Sequence, residues 1–248
     1  MSFGVNAARY DAFRPDYPSE LVERLTAARP RRVLDVGCGT GIAGRLFANR
    51  GCDVLGVEPD ARMAAFARQS KILVETGYFE DWDPRGRTFD LVVCAQAWWW
   101  LDMATALPKI ADVLVPDGRL GVFWNVGGRG DELTLALRDV YERAAAEAVR
   151  LGTEGVREPM LPAAYEPDPR EDIQAEERLR DVEALRWEWL RRYTRDEWVA
   201  AAATFGDVIA LPRDQREALL TDVGAAVDKH GGTREVSIVT SLVTAVRA

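Results

Sequence analysis

"RRVLDVGCGTG", residues 31–41, changes character at its midpoint. Two arginines lead into an apolar run, Val33 to Val36, broken only by Asp35; glycines then recur at 37, 39 and 41. Such a run bounded by glycine reads as a buried strand ending in a tight turn. "IAGRLFANRG" (42–51) continues at helical spacing and closes on Gly51, which predicts strand, turn and helix in succession. The alternation repeats outward. Strands are predicted over 53–60, 72–77, 89–96 and 119–125, helices over 61–70 and 104–118, and an upstream helix over 18–28, where Leu21, Val22 and Leu25 follow a Pro-Ser start. Strands alternating with helices of about ten residues form doubly wound parallel sheets.

After Asn125 the pattern changes. "VGGRG" (126–130) precedes a helix predicted over 131–151, and "REPMLPAAYEPDPRED" (157–172) brings four of the 12 prolines. A strand with unlike faces is predicted over 182–194, helices over 195–203 and 213–229, and a last strand over 235–246. The expected fold is therefore α/β: a doubly wound, Rossmann-like, seven-stranded and mostly parallel sheet with a helical insertion or lid before the last two strands. The expected organisation is one domain over 1–248, with an N-terminal cap (1–30), a core (31–125), the insertion (126–181) and closing strands and helices (182–248).

Composition narrows the partner. With 48% hydrophobic and 29% charged residues this is an ordinary globular chain, and a net charge of −8 argues against nucleic acid or an anionic membrane surface. A small molecule is the expected partner. Three cysteines and one histidine, His230, lack ligand spacing, so neither a metal site nor a disulfide framework is expected. No leader or spanning run is evident, and the expectation is a cytoplasmic monomer or homodimer.

The glycine turn is a weak signal alone, since residues 39–44 also satisfy the G-x-G-x-x-G spacing of a dinucleotide site. Two acids discriminate. Asp35, ahead of the first glycine, would repel a pyrophosphate yet suit a cationic amino-acid group, directly or through water. Glu58, ending the second strand in "VLGVEPD", can take both hydroxyls of a ribose. An adenosine carrying a positive amino acid fits both.

On these residues the sequence resembles the class I S-adenosylmethionine-dependent methyltransferases. "VLDVGCGTG" is similar to their nucleotide-binding motif and "VEPD" to their second acidic motif, and the likeness runs over about 5–125. The resemblance implies S-adenosyl-L-methionine as cofactor, with Asp35, Gly37 and Gly39 at the methionine moiety, Glu58 at the ribose, Met63 near the adenine, Phe79 and Glu80 beside the adenine edge, and Cys38 and Pro59 in the same cofactor set. Gln96, at the end of the fourth strand, completes this set. "AARYDAFRPDYP" (7–18) resembles the N-terminal signature of the trans-aconitate methyltransferase-like small-molecule subgroup, which implies that Tyr10 and Arg14 fold over the cofactor. On the residues alone, Tyr10 and Arg14 also read as an ordinary surface pair, and Cys38, without a base or metal partner, as structural.

The implied reaction is methyl transfer to a small-molecule acceptor, O- or N-methylation of a carboxylate or aromatic compound, driven mainly by proximity and desolvation. Where the subgroup carries a histidine ahead of the last tryptophan of this segment, Trp99 stands here, so the base is missing. Glu80 and Asp102 are the catalytic candidates in the core, with Glu188 beyond it; His230 reads as a loop residue. Trp98, Trp99 and Trp100 follow the fourth strand, on the side where open α/β sheets take ligands, and with Trp124, Asn125, Tyr165, Trp187 and Trp189 they suggest an aromatic acceptor pocket under the insertion. Two other functions fit the turn: an NAD(P)-dependent oxidoreductase, and a non-catalytic nucleotide-binding module.

Overall fold

A computed structural model describes residues 3–70, 72–127, 130–150 and 168–248, with the backbone alone for Phe3, Val5 and Val149. Seven strands, β1 (Arg32–Val36), β2 (Asp53–Glu58), β3 (Leu73–Thr76), β4 (Phe89–Ala95), β5 (Leu114–Gly127), β6 (Leu179–Thr194) and β7 (Thr233–Arg247), form one mixed sheet in the order β3-β2-β1-β4-β5-β7-β6. The pairs β1–β2, β2–β3, β1–β4 and β4–β5 are parallel. From β1 the chain steps outward to β3 and then returns to β4 on the other side of β1. Open α/β sheets take ligands at the carboxyl ends of the strands where the order reverses, here β1 and β4.

The helices are α1 (Ala7–Phe13), α2 (Ser19–Thr26), α3 (Ile42–Ala48), α4 (Ala61–Ala67), α5 (Met103–Val113), α6 (Glu132–Arg150), α7 (Arg170–Ala175), α8 (Arg195–Ala202), α9 (Gly206–Ala210) and α10 (Arg213–Lys229). Short 3-10 turns cover Phe3–Asn6 and Trp98–Trp100. In α2 the spacing of Leu21, Val22 and Leu25 makes one apolar face, which packs with Val33, Phe47, Leu91 and Phe123 in the core on one side of the sheet. Each such side chain, fully buried, contributes about 1.5–3 kcal/mol.

The chain forms two compact units. One comprises residues 16–125, 166–187 and 240–248 and holds β1 to β4 with most of β5. The other comprises residues 1–15, 126–165 and 188–239; its core joins Leu137 and Tyr141 of α6 to Trp198 of α8 and to Val223 and Val227 of α10. The helix α6 groups with residues 1–15 and 188–239, while α7 groups with the sheet unit. Much of the expected lid, including Tyr165, lies outside the described residues.

One boundary is a correction. The helix predicted over 104–118 stops at Val113, and β5 starts at Leu114 rather than Arg119. Pro116 explains the stop, because it disfavours helical backbone at the residue before it and lacks a donor. Phe89 pairs with Leu114 and Leu91 with Arg119, so residues 115–118 bulge from the ladder, with Asp117 at φ 60°. Among the described residues, no helix is long and apolar enough to cross a membrane, and no cluster of three or more His, Cys, Asp or Glu could hold a metal ion.

Candidate functional site

The turn after β1 forms because glycine takes backbone angles that other residues resist. Gly37 sits at φ 67°, and a Cβ there would lie 2.5 Å from the Cβ of Ala97, so the turn touches the segment leaving β4. Two N–H groups tie the turn to β2: those of Gly37 and Cys38 donate to the carbonyl of Val57, at 2.9 and 3.2 Å. Cys38 then lies across β2, where a Cβ on Gly56 would meet its sulfur at 2.5 Å; glycine at 56 admits the thiol. Burial, and after it the charges of Asp35 and Glu58, push the Cys38 thiol well up, so it is neutral packing material rather than a nucleophile.

Glu58 joins the turn to the end of β2. Its Oε2 accepts from the N–H of Gly39 at 2.9 Å and its Oε1 from the N–H of Asp60 at 2.9 Å, and the residue is 6% exposed. Both oxygens keep further lone pairs for a ligand's hydroxyls. Burial raises the Glu58 pKa, and the two N–H donors offset part of that. Asp60 caps α4 by accepting from the N–H of Arg62, and Met63 of α4 is buried beside Gly39, whose Cβ would lie 3.5 Å from the methionine methyl. Pro59 is exposed.

Asp35 differs from its expected placement. It is completely covered instead of opening onto the turn, and neither oxygen makes a regular hydrogen bond. The nearest donor region is the start of α3, where Gly44 leaves room for its Oδ2. Burial first, then the neighbouring Glu58, raise its pKa to about 7, and the Gly44 N–H opposes them weakly. Burial thus holds the carboxyl toward its neutral form beneath the turn.

The adenine-side segment is held from several directions. Phe79 is buried and stacks on Trp82, with ring centroids 5.9 Å apart. The Trp82 indole N–H donates to Glu75, which also takes both Nη groups of Arg87 at 2.9 Å; the Arg87 guanidinium holds the Glu75 pKa down to about 2. Glu80 accepts the N–H of Asp102 at 2.8 Å, while Asp102 caps α5 by accepting from the N–H of Ala104 and the hydroxyl of Thr105. The two catalytic candidates thus serve as fasteners between loops. At the end of β4, Gln96 takes φ 58°, donates its N–H to Phe123 and its side-chain amide to the carbonyl of Asn125.

The three tryptophans part company. Trp98 is 2% exposed and donates to Asp172 of α7 at 3.3 Å, Trp99 is 40% exposed and meets Trp124 edge to face at 5.4 Å, and Trp100 is 69% exposed. Trp124 also lines a cavity of about 530 Å³ between β5, β6, β7 and the chain entering α7, with Arg170, Arg186 and Ser241 among its walls. No glycine-turn residue lines it. Trp187 does not join Trp124: it packs in the cluster of Phe123 and Leu242, and alternation along β5 puts Phe123 and Trp124 on opposite faces. The Asn125 amide is engaged, donating to the carbonyl of Asp16 and accepting from Thr240.

Tyr10 and Arg14 belong to the other unit. Arg14 donates to the hydroxyl and carbonyl of Thr204 at 3.1 and 2.9 Å, with its guanidinium 3.9 Å from the Phe205 ring and 4.8 Å from that of Tyr10. It latches α1 to the end of α8. His230 contacts the carbonyl of Ala226 at 2.8 Å through Nδ1, and Glu188 accepts from Ser237. The residue that pattern reading missed is Lys109 of α5, whose Nζ reaches three carbonyls of the 79–82 loop. A lysine on a helix gives no such sign by spacing alone.

Comparison with known proteins agrees with this geometry. Residues 33–118 match the methyltransferase domain family. An uncharacterized methyltransferase of Mycobacterium tuberculosis is 40% identical over 127 residues, 50% of this chain and 52% of that one. The trans-aconitate 2-methyltransferase of the same species is 36% identical over 112 residues, 44% of this chain and 42% of that one. The chain spans about half the length of the curated relatives it matches. Among solved structures, a protein of Anaeromyxobacter dehalogenans assigned as a type II methyltransferase superposes with a TM-score of 0.65 at 20% identity, over 95% of this chain and 98% of that one. Phosphoethanolamine N-methyltransferase 2 of Haemonchus contortus, solved with S-adenosylhomocysteine, gives 0.55 at 15% identity, over 100% and 60%. Residues 33–118 thus match the methyltransferase domain family, and the chain shares its fold with the Anaeromyxobacter dehalogenans structure.

Proposed function

We propose that this chain transfers a methyl group from S-adenosylmethionine to a small-molecule acceptor. The observation that carries the reading is the bond between Glu58 and Gly39: a carboxylate at the end of β2 is held 2.9 Å from the amide of the glycine turn after β1. The residues fit an adenosyl ligand with a cationic amino-acid end. Asp35 is a buried carboxyl without a regular partner beneath the turn, Gly37 forms a cradle that a Cβ would fill, and Glu58 retains lone pairs for a diol. Met63 and the buried Phe79 give the base an apolar setting. An NAD-type pyrophosphate suits this turn less well, because Glu58 already takes the Gly39 N–H that would otherwise donate to a phosphate.

When bound, the cofactor supplies an electrophilic methyl carbon on a sulfonium. The chain's part is to orient the nucleophile and exclude water. Glu80 and Asp102 are engaged as caps and Trp99 presents no base, so the acceptor is one that is nucleophilic without help, such as a carboxylate or an unprotonated amine. Trp99 and Trp124 line its aromatic side, and the cavity along β5 and β7 extends from Trp124. Titration of the protein with S-adenosylhomocysteine tests the reading. Wild-type protein is expected to bind, and Glu58→Ala to lose about tenfold or more, the order expected from losing hydrogen bonds to a charged group. Equal affinity in the two would remove Glu58 from the site.

A further inference from the structure

We propose that Lys109 is a positioning residue that fixes the 79–82 loop and thereby sets selectivity for the base of the bound nucleoside; this rests on the cofactor reading above. Lys109 is half-buried in α5. Its Nζ donates to the carbonyl of Phe79 at 3.1 Å, of Trp82 at 2.9 Å and of Glu80, and lies 5.7 Å from the centre of the Phe79 ring. An ammonium has three donors, and three converging carbonyls use all of them. Arginine cannot replace it, because its planar fork directs donors outward in one plane rather than toward three oxygens on one side.

The geometry makes the ammonium a hub. The loop's carbonyls turn toward Lys109, while the Glu80 side chain accepts the N–H of Asp102. Within the loop, the N–H groups of Asp81 and Trp82 donate to the carbonyls of Tyr78 and Phe79 at 3.2 Å each, and Lys109 ties these turns to α5. Without the ammonium, three carbonyls in a half-buried place lose their donor, and the loop relaxes toward water. A loop free to relax still offers an apolar surface but no longer a fixed edge for distinguishing one base from another.

Lys109→Met keeps the stem and removes the donors. We expect it to weaken S-adenosylhomocysteine binding about tenfold while S-inosylhomocysteine, which differs only at the base edge, changes little, so that selectivity between the two collapses. Hydrogen exchange should speed up in residues 78–83, and Lys109→Arg should not rescue either readout. Ile110→Val, a core change in the same helix, controls for general loosening and should leave selectivity unchanged. If Lys109→Met weakens both ligands equally or neither, the assignment to Lys109 is overturned. Wild-type protein that binds neither compound overturns the cofactor reading and this proposal with it.

Discussion

Two carboxyls under one glycine turn set the chemistry of the site. Asp35 and Glu58 both sit in burial that favours the neutral form, and Asp35 is raised to about 7. In the unfolded chain Asp35 ionises near its ordinary 3.8, so between about pH 4 and 7 the unfolded state releases a proton that the folded state keeps. Stability therefore falls as pH rises across that window, and Glu58 adds to the same slope. Asp35→Asn should flatten it, and urea unfolding midpoints of wild type and variant from pH 4 to 7 read this out. A wild-type slope as flat as the variant's would show Asp35 ionised in the folded protein. Both acids were legible from their places at strand ends. Complete burial of Asp35 was not, because sequence position fixes which end of a strand a residue occupies and not how far the next helix covers it.

At the scale of elements, the run Trp98–Trp100 shows how one turn divides identical side chains. A 3-10 turn points successive residues in different directions, so Trp98 enters the core while Trp100 faces solvent. Trp98→Ala should cost about 3–5 kcal/mol, and Trp100→Ala within about 0.5 kcal/mol of zero, by chemical denaturation. Comparable losses would contradict the placement. The glycine turn makes a parallel expectation: Gly37→Ala meets both a left-handed φ and Ala97, costs about 1–3 kcal/mol, and abolishes nucleoside binding. The strands and helices of the core were legible from apolar periodicity, including the sharp stop at Gly51. The end of α5 was misread where Pro116 should have ended the helix, and α7 and α9 are too short for periodicity to announce. Loop fasteners such as Lys109 and the Glu75–Arg87 pair depend on contacts between distant segments, which no local pattern encodes.

For the whole molecule, the parallel half of the sheet follows from alternating strands and helices, and its order reverses between β1 and β4, the kind of place at which open α/β sheets take ligands. The grouping of residues 1–15 and 188–239 with α6 was not legible, because it rests on packing rather than on adjacency in sequence. That grouping places Arg14 with Thr204, a pairing 190 residues apart. The central claim is that the glycine turn, Asp35 and Glu58 bind an adenosyl amino acid and not a dinucleotide. Thermal unfolding with each ligand tests it most directly. S-adenosylhomocysteine at about a hundred times its dissociation constant should add about 2.7 kcal/mol and raise the midpoint by about 5–10 °C, while NAD leaves it in place. A rise with NAD and none with S-adenosylhomocysteine would contradict the account.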